Sequence, residues 1–172
     1  MPLQYQQAAR LAHPDGHMDA IAVVAFSANG QLLASGGIDG RICVWEVRRG
    51  KLLYVFSGKS AVLSLLWLES SNDRLVCGMA DGTIAALAIF TVCVVFHSRP
   101  RSFLNILKDL IRLDGFWAHQ FPVERLAISG SYLASGAHEE VKIWSYASAG
   151  ELMGLVDTLQ ADSYSRRMDG GG

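Results

Sequence analysis

The stretch from Gly16 to Glu46, GHMDAIAVVAFSANGQLLASGGIDGRICVWE, leaves few folds open to the chain. Ile21–Phe26 is an apolar, partly β-branched run closed by Ser27-Ala28-Asn29-Gly30. Gln31–Ser35 follows, and Gly36-Gly37-Ile38-Asp39-Gly40 turns the chain again. Arg41–Trp45 then alternates, with Ile42 and Val44 on one face and Arg41, Cys43 and Trp45 on the other. Asn-Gly and Asp-Gly between apolar runs are strong hairpin signals, because their residues tolerate φ > 0. The spacing predicts an antiparallel meander. After Val47-Arg48-Arg49-Gly50, the run Lys51–Phe56 supplies a fourth, outer strand.

The pattern returns. Val62–Trp67, Arg74–Cys77 and Thr83–Ile89 read as strands, with Ala80-Asp81-Gly82 as the turn. Val62 lies 41 positions after Ile21, and Asp81 lies 42 after Asp39. A third round uses Val123–Ile128, Tyr132–Ser135, Val141–Trp144 and a last strand over Leu152–Val156. A period of about 40–45 residues marks a repeat built from one small sheet at a time. Between the second and third rounds the period breaks. The run Ile84–Phe96 reads as two buried strands with a turn near Phe90-Thr91, the second strand being Val92–His97. Phe103, Ile106, Leu107, Leu110 and Ile111 then recur at helical spacing, which predicts an amphipathic helix over 102–113, begun by Ser102 and ended at Gly115. Its apolar stripe would pack on a sheet edge or dock a partner. Ahead of the first round, Leu3–Leu11 is read as an outer strand or a short helix.

Gly16-His17 at the head, Ser35-Gly36 in the middle, Asp39 in the turn and Trp45-Glu46 at the end resemble one WD (WD40) repeat, the four-stranded blade of a β-propeller. The resemblance implies an all-β fold: a partial propeller of about three antiparallel blades with one inserted helix. The expected organisation is an N-terminal segment 1–15, a first blade 16–57, a degenerate second blade 58–97, a helical insert 98–118, a third blade 119–160 and a disordered tail 161–172. The resemblance also implies a buried polar set, His17, Ser35, Asp39 and Trp45 in the first blade, with structural and not catalytic duties. Asp81 alone stands for it in the second blade, where Gly58, Cys77 and Leu87 replace the histidine, serine and tryptophan. In the third blade the set is His119, Ser135 and Trp144, with Glu139 or Glu140 as the nearest carboxylate. Partner contacts in this family commonly lie on the top face. Aligned positions here are Ala20, Ala22 and Ile38, then Ala61, Leu63 and Ala80, then Pro122, Glu124 and Ala137, nearly all small or apolar.

Other functions find little support. With 15 basic and 16 acidic residues scattered over 172, no basic stripe exists to neutralise a phosphate backbone, so no nucleic-acid partner is expected. His13 and His17 stand four apart, but Pro14 and Gly16 make that segment a loop, and no metal is expected. Ser57-Gly58-Lys59-Ser60 lacks the glycine five positions upstream that a phosphate loop needs; Leu53 stands there. No nucleophile elbow or metal quartet occurs, so neither an enzyme nor a cofactor is expected. Cys43, Cys77 and Cys93 read as reduced, buried thiols of an intracellular protein. The start has no apolar leader, and the 13-residue run Ile84–Phe96 falls short of the roughly 20 needed to cross a bilayer, so no membrane association is expected. The resemblance implies a non-catalytic scaffold for a protein or peptide, as a fragment of a larger propeller protein, alternatively a regulatory or substrate-receptor part of a ubiquitin ligase or nucleotide-switch assembly. A blade cannot cover both its faces alone. Further blades, from the same chain or another copy, are therefore expected to complete the ring.

Overall fold

The computed structural model describes residues 6–68, 73–94, 105–146 and 152–160. The tail 161–172 lies outside them. Three four-stranded antiparallel sheets follow one another along the chain. The first is β1 (Ile21–Phe26), β2 (Leu32–Gly37), β3 (Arg41–Glu46) and β4 (Lys51–Ser57). The second is β5 (Val62–Trp67), β6 (Arg74–Met79), β7 (Thr83–Val94) and β8 (Asn105–Trp117). The third is β9 (Arg125–Ser129), β10 (Tyr132–Ala137), β11 (Glu140–Tyr146) and β12 (Leu152–Gln160). In each sheet the strands pair in chain order. This is the meander that the turn residues call for. Gly30 and Gly40 take φ values of 68° and 75°, the left-handed region that the Asn-Gly and Asp-Gly signals anticipate.

The sheets repeat in detail. The outer-strand pairing slips by a bulge between Val44 and Trp45, between Ala86 and Leu87, and between Ile143 and Trp144. Leu87 therefore occupies the place of the two tryptophans. The inner strands of the first two sheets carry a second bulge, at Ile21/Val23 and Val62/Ser64.

Of the helix expected over 102–113, residues 105–113 are strand and 102–104 lie outside the described residues; no helix occurs among the described residues. Asn105–Trp117 is strand β8, the outer strand of the second sheet, paired with β7 from Thr83↔Trp117 to Val94↔Asn105. The helical spacing of Ile106, Leu107, Leu110 and Ile111 is real, but β7 offers a long edge of unpaired N–H and C=O groups. A helix would leave that edge bare, and pairing overrides local period. The turn expected near Phe90-Thr91 is absent too, since β7 runs unbroken through it to Val94. Neither residue is a turn former, and β-branched neighbours extend the strand. The strand expected at Val92–His97 is thus the far end of β7 as far as Val94; 95–97 lie outside the described residues. Of Leu3–Leu11, residues 6–11 form neither strand nor helix. The third inner strand starts at Arg125 and not at Val123, whose N–H instead donates to the Met79 carbonyl of the second sheet (3.0 Å).

Two cores lie between the sheets. Ala34, Ile42, Val44 and Tyr54 of the first meet Val62, Leu65, Trp67, Leu75, Cys77 and Leu87 of the second. Val76 and Ile84 on the opposite face of the second sheet meet Val123, Leu133 and Trp144 of the third. The middle sheet is consequently covered on both sides. Each interface is keyed the same way. A Cβ at Gly36 would run into Val62, and one at Gly78 would run into Val123. Glycine is required there so that the valine at or just ahead of the next sheet's inner strand can press against the backbone. The Trp67 indole N–H also donates to the Ala25 carbonyl (3.0 Å), tying the first two inner strands. Phe116 meets Trp144 edge to face at 4.7 Å across the second interface.

Candidate functional site

The ends of the sheets that carry the β2–β3 type turns also carry the buried polar groups. In the first sheet, the Trp45 indole N–H donates to Ser35 Oγ at 2.9 Å, and Ser35 Oγ lies 2.8 Å from His17 Nε2. His17 Nδ1 lies 3.3 Å from Asp39 Oδ1. Indole only donates and carboxylate only accepts, so the proton order is fixed: indole to hydroxyl, hydroxyl to Nε2, Nδ1–H to carboxylate. Asp39 also accepts the amides of Met18 (2.7 Å) and Arg41 (3.0 Å). Burial pushes its carboxyl up, but those two amides and the imidazole outweigh it and hold the group below its ordinary value.

The third sheet makes the same relay with another acid. Trp144 Nε1–H donates to Ser135 Oγ (2.8 Å), which lies 2.7 Å from His119 Nε2. His119 Nδ1 lies 2.6 Å from Glu140 Oε1. Counting six back from Trp144, as Asp39 stands before Trp45, gives His138, which is not the partner. The turn between β10 and β11 is one residue shorter than that between β2 and β3. The carboxylate therefore comes from the first residue of β11, and the longer glutamate side chain makes up the reach. Burial raises the Glu140 carboxyl, and its bonds to His119 and to Lys142 (3.2 Å) outweigh this and lower it.

The second sheet has no relay. Cys77 Sγ donates to the Ala85 carbonyl (3.5 Å), as Ser35 Oγ approaches the Cys43 carbonyl (3.4 Å). Asp81 caps its own turn by accepting the Thr83 amide (3.0 Å), and its amide donates to Ser60 Oγ (3.0 Å). It is solvent-exposed, and its partners are Thr83, Ser60 and the Trp117 indole, none of them a histidine. Two-sided apolar burial holds this sheet in place of the polar set.

The top-face positions are scattered over one rim. Ala22, Leu63 and Glu124 come together, lining a concavity of about 190 Å³ along the inner strands with Arg125. Ala20, Ile38, Ala80 and Pro122 lie outside it. Ile38 is 52% exposed, and Ala20 and Glu124 are exposed. Sequence reasoning missed a larger cavity at the third sheet, built on Phe121 and His138. The one available signal was His138 itself. It takes φ 52° in a two-residue turn, where a non-glycine residue costs about 1–2 kcal/mol. Among the described residues no group of three His, Cys, Asp or Glu side chains is placed to hold a metal ion, and no helix is long and apolar enough to cross a membrane.

Residues 9–46 match the family model described as WD domain, G-beta repeat. Over 141 residues, 79% of the chain, the sequence is 28% identical to Protein ROOT INITIATION DEFECTIVE 3 of Arabidopsis thaliana, covering 30% of that protein. It is 26% identical over 155 residues (84% of the chain) to an F-box/WD-40 repeat-containing protein of the same plant, covering 25% of it. It is 33% identical over 86 residues (50% of the chain) to the small ribosomal subunit protein RACK1y of Oryza sativa subsp. japonica, again covering 25%. The chain thus spans less than a third of the length of these relatives.

Proposed function

From the premise that this is a WD-repeat chain, with its first blade matched over residues 9–46, we propose that it is a non-catalytic scaffold that binds a protein or peptide. The observation that carries this reading is the division of labour at the turn-bearing rim. The relay groups of that rim are spent inward, with His119 and Ser135 at 1% and 0% exposure, while Ile38, Ala20 and Ala22 face solvent. Ser35 and Ser135 are buried and each accepts an indole N–H, so no substrate reaches them; they hold the rim rigid, and a rigid exposed rim loses little entropy on binding. The buried thiols Cys43 and Cys77 suit an intracellular setting.

The three blades form part of a larger ring in this reading. Val24 and Phe26 on the outer face of the first blade are 58% and 62% exposed, and Tyr132 and Val141 on the third are 52% and 41% exposed. Gly136 aligns with Gly36 and Gly78, yet a Cβ there would meet only Arg125, at 3.6 Å. The keyhole that receives the next blade's valine is present and unfilled. Further blades, supplied by the same chain or a second copy, would fit both faces. The likeness to an F-box/WD-40 protein favours a second role beside this one, as the substrate-receptor part of a larger assembly.

The test is proximity crosslinking of the full chain in cells, compared with the variant Ile38→Glu, which alters an exposed side chain. A discrete protein set lost in the variant at unchanged melting temperature supports the scaffold reading. Identical sets from both chains would refute it for this rim.

A further inference from the structure

Beside the third relay lies a cavity of about 370 Å³, bounded by Phe121, His138, Glu139, Glu140 and Lys142. Pockets for small groups start near this size. Its walls are not a by-product of packing. Phe121 is 47% exposed, and its ring lies 4.6 Å from that of His138 at 40°. His138 is the one non-glycine residue with positive φ among the described residues, at 52°. Glycine would hold that turn without strain, so the imidazole is kept in place at a cost to folding. The tilted ring pair offers an aromatic surface at the rim.

The charges select the ligand. Lys142 is occupied: its Nζ donates to the Ala118 carbonyl (2.8 Å) and pairs with Glu140 (3.2 Å). Glu140 is in turn committed to His119. Glu139 stands apart from this network, its side chain 79% exposed and 3.8 Å from His138 Nε2. An anion entering here would meet two carboxylates and an ammonium already neutralised. A planar cation would stack on the Phe121–His138 platform and pair with Glu139.

We propose that this cavity receives an arginine side chain of the partner peptide. The proposal rests on the scaffold reading above and names the chemistry that one of its contacts would use.

The test is a titration of the isotopically labelled full chain with a blocked Ala-Arg-Ala peptide, followed by amide NMR shifts. Matched peptides carry norleucine or glutamate in place of arginine. The expected result is millimolar binding of the arginine peptide alone, shifting the amides of Phe121, His138 and Glu139. Phe121→Ala and Glu139→Gln should each weaken it about two- to fivefold. His138→Gly should bind more weakly while melting at a higher temperature, a combination that a purely structural histidine would not give. Equal shifts with norleucine, or full affinity in His138→Gly, would overturn the proposal. So would shifts confined to the Ala22, Leu63 and Glu124 amides, an outcome that leaves the chain a binding module with its contact elsewhere. Failure of the scaffold reading itself would be read separately, from the crosslinking comparison.

Discussion

Asp39 and Asp81 occupy the same step of the same turn in consecutive blades, and their replacement by alanine should have unequal consequences. Asp39 accepts three hydrogen bonds, from Met18 N (2.7 Å), Arg41 N (3.0 Å) and His17 Nδ1 (3.3 Å), with its side chain 10% exposed. Hydrogen bonds to a charged group contribute about 1.5–3 kcal/mol each when fully buried. The two amides regain water once the carboxylate is gone, which discounts the sum. A loss of about 3 kcal/mol is expected, dominated by the imidazole N–H left facing a void and by the freed head of the blade. Asp81 accepts one amide, from Thr83, on an exposed turn. Its loss should cost about 0.5–1 kcal/mol. For a chain of this size, 1 kcal/mol shifts the melting temperature by about 2–4 °C. Asp39→Ala should therefore melt about 6–12 °C below the parent and Asp81→Ala within about 4 °C of it. Urea titrations followed by tryptophan fluorescence would read both variants. Equal losses, or an Asp39→Ala variant as stable as the parent, would refute the assignment of the relay as the first blade's fastening.

Three further outcomes follow from the same geometry. Asp39 and Glu140 are held below their ordinary values of 3.8 and 4.5, so the stability they confer is fully present above about pH 5 and drains as pH falls through the folded values. The double variant Asp39→Asn, Glu140→Gln should be less stable at neutral pH and show a flatter acid limb in pH-dependent unfolding. Gly82 takes φ 84° with its missing Cβ aimed into the His119 carbonyl, whereas Gly130 at φ 56° faces open space. Gly82→Ala should accordingly lose well over 2 kcal/mol in thermal melts and Gly130→Ala about 1 kcal/mol. Burial, with Asp39 adding to it, pushes the Cys43 thiol up to about 11. Mapped alkylation should leave Cys43 and Cys77 unmodified in the native chain at neutral pH and label both in urea.

The parts of the fold governed by neighbours in sequence were the legible ones. Asn29-Gly30 and Asp39-Gly40 announce their turns because backbone sterics act over two residues, and the strands between them inherit their pairing. The second blade was legible as a repeat through Asp81-Gly82, although nothing local says that its missing relay is replaced by burial on both faces. That depends on the flanking sheets. The segment 105–117 was misread because Ile106, Leu107, Leu110 and Ile111 continue a helical spacing begun at Phe103, and the opposing signal, an unpaired β7 edge, sits in another strand. The carboxylate of the third relay was left open between Glu139 and Glu140, since a turn shortened by one residue shifts which of them points to His119. The tilted Phe121–His138 ring pair joins two loops, and its one sequence signal was the glycine-free turn at His138.

The middle sheet is gripped on both faces by like neighbours through the same glycine-to-valine key. Methyl-to-backbone NOEs from Val62 and Val123 in the intact chain test this directly. The account predicts strong NOEs from Val62 methyls to Gly36 and from Val123 methyls to Gly78. Absence of either pair, or sequential amide NOEs marking a helix across 105–113, would contradict it.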